Sequence, residues 1–254
     1  MNKNFEQFLL NDKASKGLTQ FSNKIRAYQY KKPFAVTSKF LSPAEKALDW
    51  GCGNGHLSTF LLHCGQKTTA YGFGEIPEST LLAANPLLEF IAADTTEPVK
   101  LPFEDGSFDL VLSMGVLEHV HESGGDQLAS LKEINRILKK GGYFLCFHLP
   151  YSGSWVEKLH TAIMPLKKHK SYVHTKRFSK NDVTELSYTS GFHLQEWGRY
   201  NFLPRNFSHK LPLSITNNTI FASSFNALDT ILTIIFPYFC NQSYFIAQKD
   251  KQIT

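Results

Sequence analysis

Three glycines that alternate with other residues constrain this chain more than any other feature. They stand at Gly51, Gly53 and Gly55, directly after a short apolar segment, and a helical pattern begins at His56. Glycine backbone can turn sharply and lie against a ligand because no Cβ atom is in the way. The helix that follows offers backbone N–H groups and a positive dipole end to an anionic group. The pattern therefore predicts a loop that binds a nucleotide or nucleoside cofactor.

Apolar strand patterns and amphipathic helix patterns alternate along most of the chain, which is typical of a doubly wound α/β fold with a mostly parallel sheet of seven strands. The predicted strands are 46–50, 68–73, 90–93, 108–113, 143–148, 192–197 and 244–247. The predicted helices start after the glycines, at Pro77, at Gln127 and after Ser179. We expect the third of these to run to Lys140 and to end at Gly141 and Gly142.

The length of 254 residues suits a single domain, which we take to be 1–254. Within it we expect a helical cap over 1–45, a cofactor-binding core over 46–150, and insertions at 151–178 and 201–242 that form a substrate lid. The net charge of +5 is spread thinly and indicates an ordinary solvated surface. Four widely spaced cysteines indicate free thiols rather than a disulfide framework. Because we recognise no signal peptide, we expect a cytoplasmic protein that is either soluble or membrane-associated.

The residues around the glycines have to decide which cofactor is bound, because a lone glycine triplet is weak evidence. In order, the informative segments are Asp49 before the glycines, Asp94 after the third strand, 101–109 before the fourth strand, 116–120 after it, and 138–142 before the fifth. Together they resemble the class I S-adenosylmethionine-dependent methyltransferases, in particular the small-molecule branch related to ubiquinone, menaquinone and biotin-pathway enzymes. The resemblance is strong over residues 45–150.

This resemblance implies roles for residues in and around the glycine loop. Asp49 would orient the loop and reach the amino acid part of S-adenosylmethionine, and Asp94 would accept a hydrogen bond from the adenine. The other residues that would border the cofactor are Gly51, Cys52, Gly53, Gly55, Thr95, Ser113, Met114 and Gly115. The family's ribose-binding acid would align with Gly74, so we expect Glu75 to replace it, with Glu78 as second choice.

His119 is the first candidate for a general base, because it follows the fourth strand at the expected mouth of the pocket. A histidine that merely caps or packs is the alternative. His148, Tyr172 and His174 are lesser candidates. Residues 118–122 contain two acids and two histidines, but neighbours two apart point in different directions on a helix, so we predict no metal site.

The acceptor is the least constrained part of the prediction. The chain lacks the Asn-Pro-Pro-aromatic motif that amino-methylating enzymes carry after the fourth strand, and it has no dense basic stripe for nucleic acid. We therefore expect methyl transfer to a small-molecule, lipid-like or glycan acceptor, with O-methylation preferred. A non-catalytic partner subunit is the alternative, and an RNA methyltransferase is third. The apolar segment 221–240 is either a helix packed on the sheet or a site of peripheral membrane contact.

Overall fold

The computed structural model describes residues 7–8, 18–42, 45–74, 85–163 and 174–250. Its centre is one seven-stranded sheet in the order β3-β2-β1-β4-β5-β7-β6. The strands are β1 (Lys46–Trp50), β2 (Lys67–Gly72), β3 (Leu88–Ala92), β4 (Phe108–Met114), β5 (Leu138–Pro150), β6 (Phe192–Tyr200) and β7 (Gln242–Lys249). All neighbouring pairs from β3 to β5 are parallel, and β7 runs antiparallel to both β5 and β6. The predicted fold class is confirmed.

Helices lie before, between and after the strands. The α-helices are α1 (Lys24–Ala27), α2 (Lys31–Thr37), α3 (His56–His63), α4 (Gln127–Ile137), α5 (Trp155–Ile163), α6 (Lys180–Thr189), α7 (Leu213–Thr216) and α8 (Thr219–Ile235). Short 3₁₀ segments occur at Thr19–Phe21, Tyr28–Tyr30, Val120–Ser123, Asn206–Lys210 and Pro237–Phe239. The predicted helix at Pro77 and the segment 164–173 fall outside the described residues.

Each face of the sheet carries its own apolar core. Val111 and Phe144 point to the face covered by α4, whereas Leu110 and Leu145 point to the face covered by α3 and the N-terminal segment. The N-terminal cap is anchored by aromatic packing, because Phe34 of α2 stacks on Phe60 of α3 with ring centroids 4.0 Å apart. The cap therefore covers the helix that follows the glycine loop.

The predicted end of α4 is wrong. The helix ends at Ile137, and β5 already begins at Leu138, which pairs with Phe108. Lys139 binds Asp109 in β4 at 2.7 Å instead of lying in the last helical turn. Besides Arg136 in the last turn, Lys249 from β7 lies at the helix end, and its ammonium donates to the carbonyls of Asn135 and Leu138. A residue more than a hundred positions away therefore supplies the charge that we assigned to local lysines.

Helix α8 contacts the sheet with a narrow inner side, so the alternative of a helix packed on the sheet holds for a small part of its surface. Ala222 and Asp229 are its buried residues, whereas most of its isoleucines and leucines face outward. Its inner side contacts α1 and β6. Among the described residues, no helix combines the length and the apolar character needed to cross a bilayer.

Candidate functional site

The glycine loop forms a tight bend between β1 and α3. Gly51 has φ +77°, and a Cβ atom there would lie 2.4 Å from Cγ2 of Val116. The N–H groups of Gly51 and Cys52 both donate to the carbonyl of Tyr71 at 2.8 and 3.0 Å. The start of the loop is thus fixed against β2, and only glycine fits at its first position.

Gly53 leaves room for a ligand, whereas Gly55 is buried at the start of α3. Gly53 has φ +48°, is exposed, and would place a Cβ atom with nothing within 4 Å. Gly55 has φ +72° and stands at the N-cap of α3, where no side chain caps the helix. An open backbone surface beside an uncapped helix start fits the amino acid and ribose parts of a nucleoside cofactor.

Asp49 lies beneath this bend and is buried. Its Oδ2 accepts a hydrogen bond from the Ser58 hydroxyl in α3 at 2.6 Å. Burial raises the pKa of Asp49 to about 6, and the Ser58 hydrogen bond opposes that rise. The carboxylate therefore ties β1 to α3 across the loop, which fits the predicted orienting role; a direct cofactor contact stays a prediction.

The strand ends next to the loop supply the other predicted residues. Asp94 and Thr95 follow β3 and are exposed, and Oδ1 of Asp94 accepts from both the N–H and the hydroxyl of Thr96. Met114 and Gly115 end β4, and the Met114 sulfur lies 3.2 Å from Nε2 of His56. These positions are compatible with the predicted roles and do not test them.

Ser113 does not fit its predicted role. It has no exposed surface, since it lies inside the sheet between Trp50 of β1 and Cys146 of β5. A direct contact between Ser113 and the cofactor would need the end of β4 to open.

The predicted substitute for the ribose acid cannot be located, because Glu75 and Glu78 lie outside the described residues. The structure explains why Gly74 is not an acid, since its φ of +78° belongs to the left-handed region that favours glycine.

A polar cavity of about 350 Å³ opens beyond the carboxyl end of β4. Gly115, Glu118 and His119 form the wall that continues from β4. Hydrogen-bonding side chains dominate the remaining lining, which includes Arg26, Gln29, Tyr30, His148, Ser154, Glu157, His174, Asn201, Arg205, Asn206, Asn241 and Gln242. Ligands of open α/β sheets bind at this end of the strands, so the cavity is the candidate acceptor site.

Comparison with known proteins identifies the domain. Residues 48–146 match a family model described as "Methyltransferase domain". The "eEF1A lysine and N-terminal methyltransferase" of Bos taurus is 32% identical over 124 residues, which cover 45% of this chain and 17% of that protein. A "Probable S-adenosylmethionine-dependent methyltransferase" of Mycolicibacterium smegmatis is 26% identical over 149 residues, covering 59% and 52% of the two chains.

A solved methyltransferase structure has the same fold as this chain. The 1,6-didemethyltoxoflavin-N1-methyltransferase of Burkholderia thailandensis, with S-adenosylhomocysteine bound, is 16% identical with a TM-score of 0.55, and the match covers 97% of this chain and 87% of that one. This chain carries a class I S-adenosylmethionine-dependent methyltransferase domain. It spans about half, or less, of the length of the curated relatives named above, and none of these matches identifies the small-molecule branch that the sequence suggested.

Within this methyltransferase domain, Glu118 is the acid most deeply placed at the cavity wall. Only 3% of it is exposed, and its Oε2 has no hydrogen-bond partner among the described residues. Burial raises the pKa of Glu118 to about 7. In the sequence, Glu118 is only one residue of the segment 116–120. The signal that singles it out is an acid that follows a strand of the sheet within a few residues.

His119 lies beside Glu118, with its Nε2 4.0 Å from Oε1 of that acid. Its Nδ1 lies 2.9 Å from Oε1 of Glu122. A carboxylate can only accept, so Nδ1 carries the proton in this pair and Nε2 is the acceptor nitrogen of the neutral ring. The role of His119 as a general base stays a prediction.

His148 has a different character. It ends the regular pairing of β5 with φ +61°, a strained conformation for a residue other than glycine, and its ring stacks on Tyr30. Asn201 donates to the carbonyl of Gln29 and to Oε1 of Gln242, and the Gln242 amide nitrogen lies 2.7 Å from Nδ1 of His148. Because the Gln242 amide nitrogen is a donor, Nδ1 of His148 accepts and the ring proton lies on Nε2. This Nε2 is buried without a partner among the described residues.

Burial and the nearby His56 lower the pKa of His148 to about 3. The ring is therefore neutral at physiological pH and offers its Nε2–H as a donor. The sequence made His148 only a lesser candidate for the base, and its Nδ1 is occupied by the Gln242 amide. Its partners Asn201 and Gln242 come from β-strand ends far along the chain, and no local signal indicated them.

Glu118, His119 and His174 also form a possible metal-ligand set. One ligand atom from each lies within 4.8 Å of the other two, and imidazole with carboxylate is a donor set that zinc uses. His174 additionally binds Glu157 at 2.9 Å. The predicted absence of a metal stays a prediction, and Tyr172 lies outside the described residues.

Proposed function

We propose that this chain transfers a methyl group to a hydroxyl group of a small, polyhydroxylated acceptor of the sugar class. The observation that carries the proposal is the lining of the cavity beside Glu118, in which amides, imidazoles and charged groups outnumber apolar side chains. Many fixed donors and acceptors suit a ligand with many hydroxyl groups, whereas a quinone ring or an acyl chain needs apolar walls. Among the acceptors expected from the sequence, the lining therefore favours the glycan.

The cofactor would be held at the glycine loop. Gly53 leaves backbone accessible for it, and Asp49 keeps the loop in place through Ser58. S-adenosylmethionine supplies a methyl group that is already activated on a sulfonium. The task left to the protein is to hold the acceptor oxygen in line and to remove its proton.

His119 is the group that we propose to accept this proton. Glu122 holds Nδ1–H, so that Nε2 takes the proton from the acceptor hydroxyl. Glu118, 4.0 Å from Nε2, would stabilise the imidazolium that results. Glu118 and Glu122 thus lie on the two sides of the imidazole.

His148 would position the acceptor rather than move a proton. Its neutral ring lines the cavity with the proton on Nε2, and the amides of Gln242 and Asn201 fix this tautomer. A neutral donor of this kind suits a second oxygen of the acceptor.

The relatives that modify eEF1A do not decide the acceptor. The family match ends at residue 146, whereas most of the cavity lining comes from residue 148 onward. The shared part is the cofactor core, so acceptor chemistry does not follow from it. Lysine-containing peptides nevertheless belong in the test.

The test is transfer of label from methyl-labelled S-adenosylmethionine to three acceptor panels, namely sugars and sugar nucleotides, phenols, and lysine-containing peptides. We expect stable ether formation on the first panel. His119→Ala should lower kcat by about 100-fold or more, and the control His121→Ala should not. His121 is matched in chemistry, is absent from the cavity lining, and binds Thr175 instead.

Two results would count against the proposal. The acceptor class is wrong if label enters only the peptides or only the phenols. The role of His119 is wrong if His119→Ala keeps the kcat of His121→Ala. His148→Phe should raise KM more than it lowers kcat, because the lost group is a positioning donor.

A further inference from the structure

Helix α8 has its polarity reversed relative to a helix that packs on a core. Its outer stripe consists of Ile220, Leu228, Ile231, Ile234 and Ile235, and we call these five residues the apolar face. All are exposed, with Ile220 at 79% and Ile234 at 73%. A helix of a soluble protein normally turns such a stripe inward.

Polar groups occupy the inner side of the same helix. Asp229 is buried and accepts from Arg205 at 2.9 Å, and it also accepts from the N–H of Leu203 at 2.6 Å. Asn226 accepts from Arg205 at 2.6 Å. These bonds fix the rotation of α8 about its axis, so the apolar face points outward by construction and not because the helix is loosely attached.

The exposed apolar surface continues beyond the helix end. Phe236, Tyr238 and Phe239 are each about half-exposed or more. At about 175 Å² for a large apolar residue, these three and the apolar face expose roughly 800 Å². Surfaces of this size on monomeric proteins mark interaction sites.

The charge around α8 indicates which partner covers it. Helix α1, which packs against α8, carries Lys24 and Arg26 and no acid, and the Lys24 ammonium donates to Thr219 of α8 at 2.6 Å. Residues 198–241 contain one acid, Asp229, which Arg205 neutralises. The next acid, Glu196, accepts a hydrogen bond from the Tyr244 hydroxyl.

An apolar surface with basic and no unpaired acidic neighbours is complementary to an anionic lipid bilayer. We propose that α8 docks on such a bilayer and lies in its interface, with the apolar face at the level of the acyl chains. The inference goes beyond the proposed function, since it requires neither a methyl acceptor nor the cofactor. A second copy of the chain would bring the same basic groups to the contact and leave them unmatched.

Vesicle binding tests the proposal with three proteins. These are the wild type, a variant with Ile231→Ser, Ile234→Ser and Ile235→Ser, and the control Tyr188→Ser. Tyr188 is 82% exposed and lies on α6, so this control removes an exposed apolar side chain at a different surface. Because every replaced side chain is exposed, we expect all three proteins to keep the same melting temperature and the same affinity for S-adenosylhomocysteine.

The vesicles contain either phosphatidylcholine alone or equal parts of phosphatidylcholine and phosphatidylglycerol. We expect the wild type and Tyr188→Ser to bind the anionic vesicles, and this binding should weaken as salt is added. The triple variant should bind the anionic vesicles at least about tenfold more weakly than the wild type. Absent binding by the wild type, or equal binding by the triple variant, overturns the proposal. A wild-type dimer in light scattering that the triple substitution converts to a monomer would assign the surface to a second copy instead. S-adenosylhomocysteine binding is read separately, so failure of docking and failure of the methyltransferase site remain distinguishable.

Discussion

Asp49 should make the protein less stable at neutral pH than an uncharged residue would. Burial raises its pKa to about 6 from the ordinary value of 3.8. An acid whose pKa is higher in the folded state binds its proton more tightly there. Ionising this acid therefore costs stability at every pH above its pKa in the unfolded state. The cost reaches its limit above its pKa in the folded state. The difference of about two pKa units corresponds to about 3 kcal/mol.

Asp49→Asn removes this cost while keeping an oxygen that can accept from Ser58. We expect the variant to be more stable than wild type by about 3 kcal/mol at pH 8, and roughly 6–12 °C higher in melting temperature. The two proteins should converge below about pH 4, where the wild-type carboxyl is neutral in both states. Urea unfolding of the cofactor-free proteins across this range measures the difference.

Ser58→Ala provides the matched control. Loss of the hydroxyl removes the hydrogen bond that stabilises the carboxylate, so this variant should lose about 1 kcal/mol at pH 8 and less at pH 4. The reasoning is refuted if the gain from Asp49→Asn is the same at both pH values. Weaker cofactor binding by Asp49→Asn would show that the charge is kept for function at a cost in stability.

Four further predictions follow from single contacts. Gly51→Ala should destabilise the fold by about 2 kcal/mol or more in urea unfolding, because φ is positive and Val116 fills the space; adding Val116→Ala should recover only part of the loss. Arg205→Ala should cost about 3–5 kcal/mol, since it leaves Asp229 buried and unpaired, and an equal loss in Lys210→Ala would contradict this. Ser179→Ala should cost about 1 kcal/mol by breaking the capping box with Asp182. Chelation with EDTA should leave methyl transfer unchanged if the predicted absence of a metal at Glu118, His119 and His174 is right, and restoration by a divalent cation would show the opposite.

The parts of the fold that the sequence predicted are those set by local patterns. The glycine bend, the apolar strands beside it and the Ser179 cap depend on residues close in sequence. The boundary between α4 and β5 was missed because lysines followed by two glycines also fit a helix end. The position of this boundary depends on Lys249 from β7, and a short stretch of sequence around residue 138 does not include that residue.

The cofactor side of the site was similarly easier to predict than the acceptor side. Asp49 and the glycines lie within seven residues of one another, so their joint role is visible in the sequence. The tautomer of His148 depends on Asn201 and Gln242, which come together only through the antiparallel pairing of β5, β6 and β7. A pattern search along the chain cannot supply such a set of partners.

The reversed polarity of α8 could not be read from periodicity either, because an apolar stripe has the same spacing whichever way it faces. What decides the orientation is Arg205, which lines the acceptor cavity and also holds Asn226 and Asp229 of α8. A chain folding in water alone would gain stability by turning the apolar face inward, since each fully buried isoleucine contributes about 1.5–3 kcal/mol. Helix α8 instead has an aspartate inside and isoleucines outside, which is the arrangement expected if this surface contacts the apolar part of a bilayer. The same Arg205 would then join the wall of the acceptor cavity to the surface that meets the bilayer.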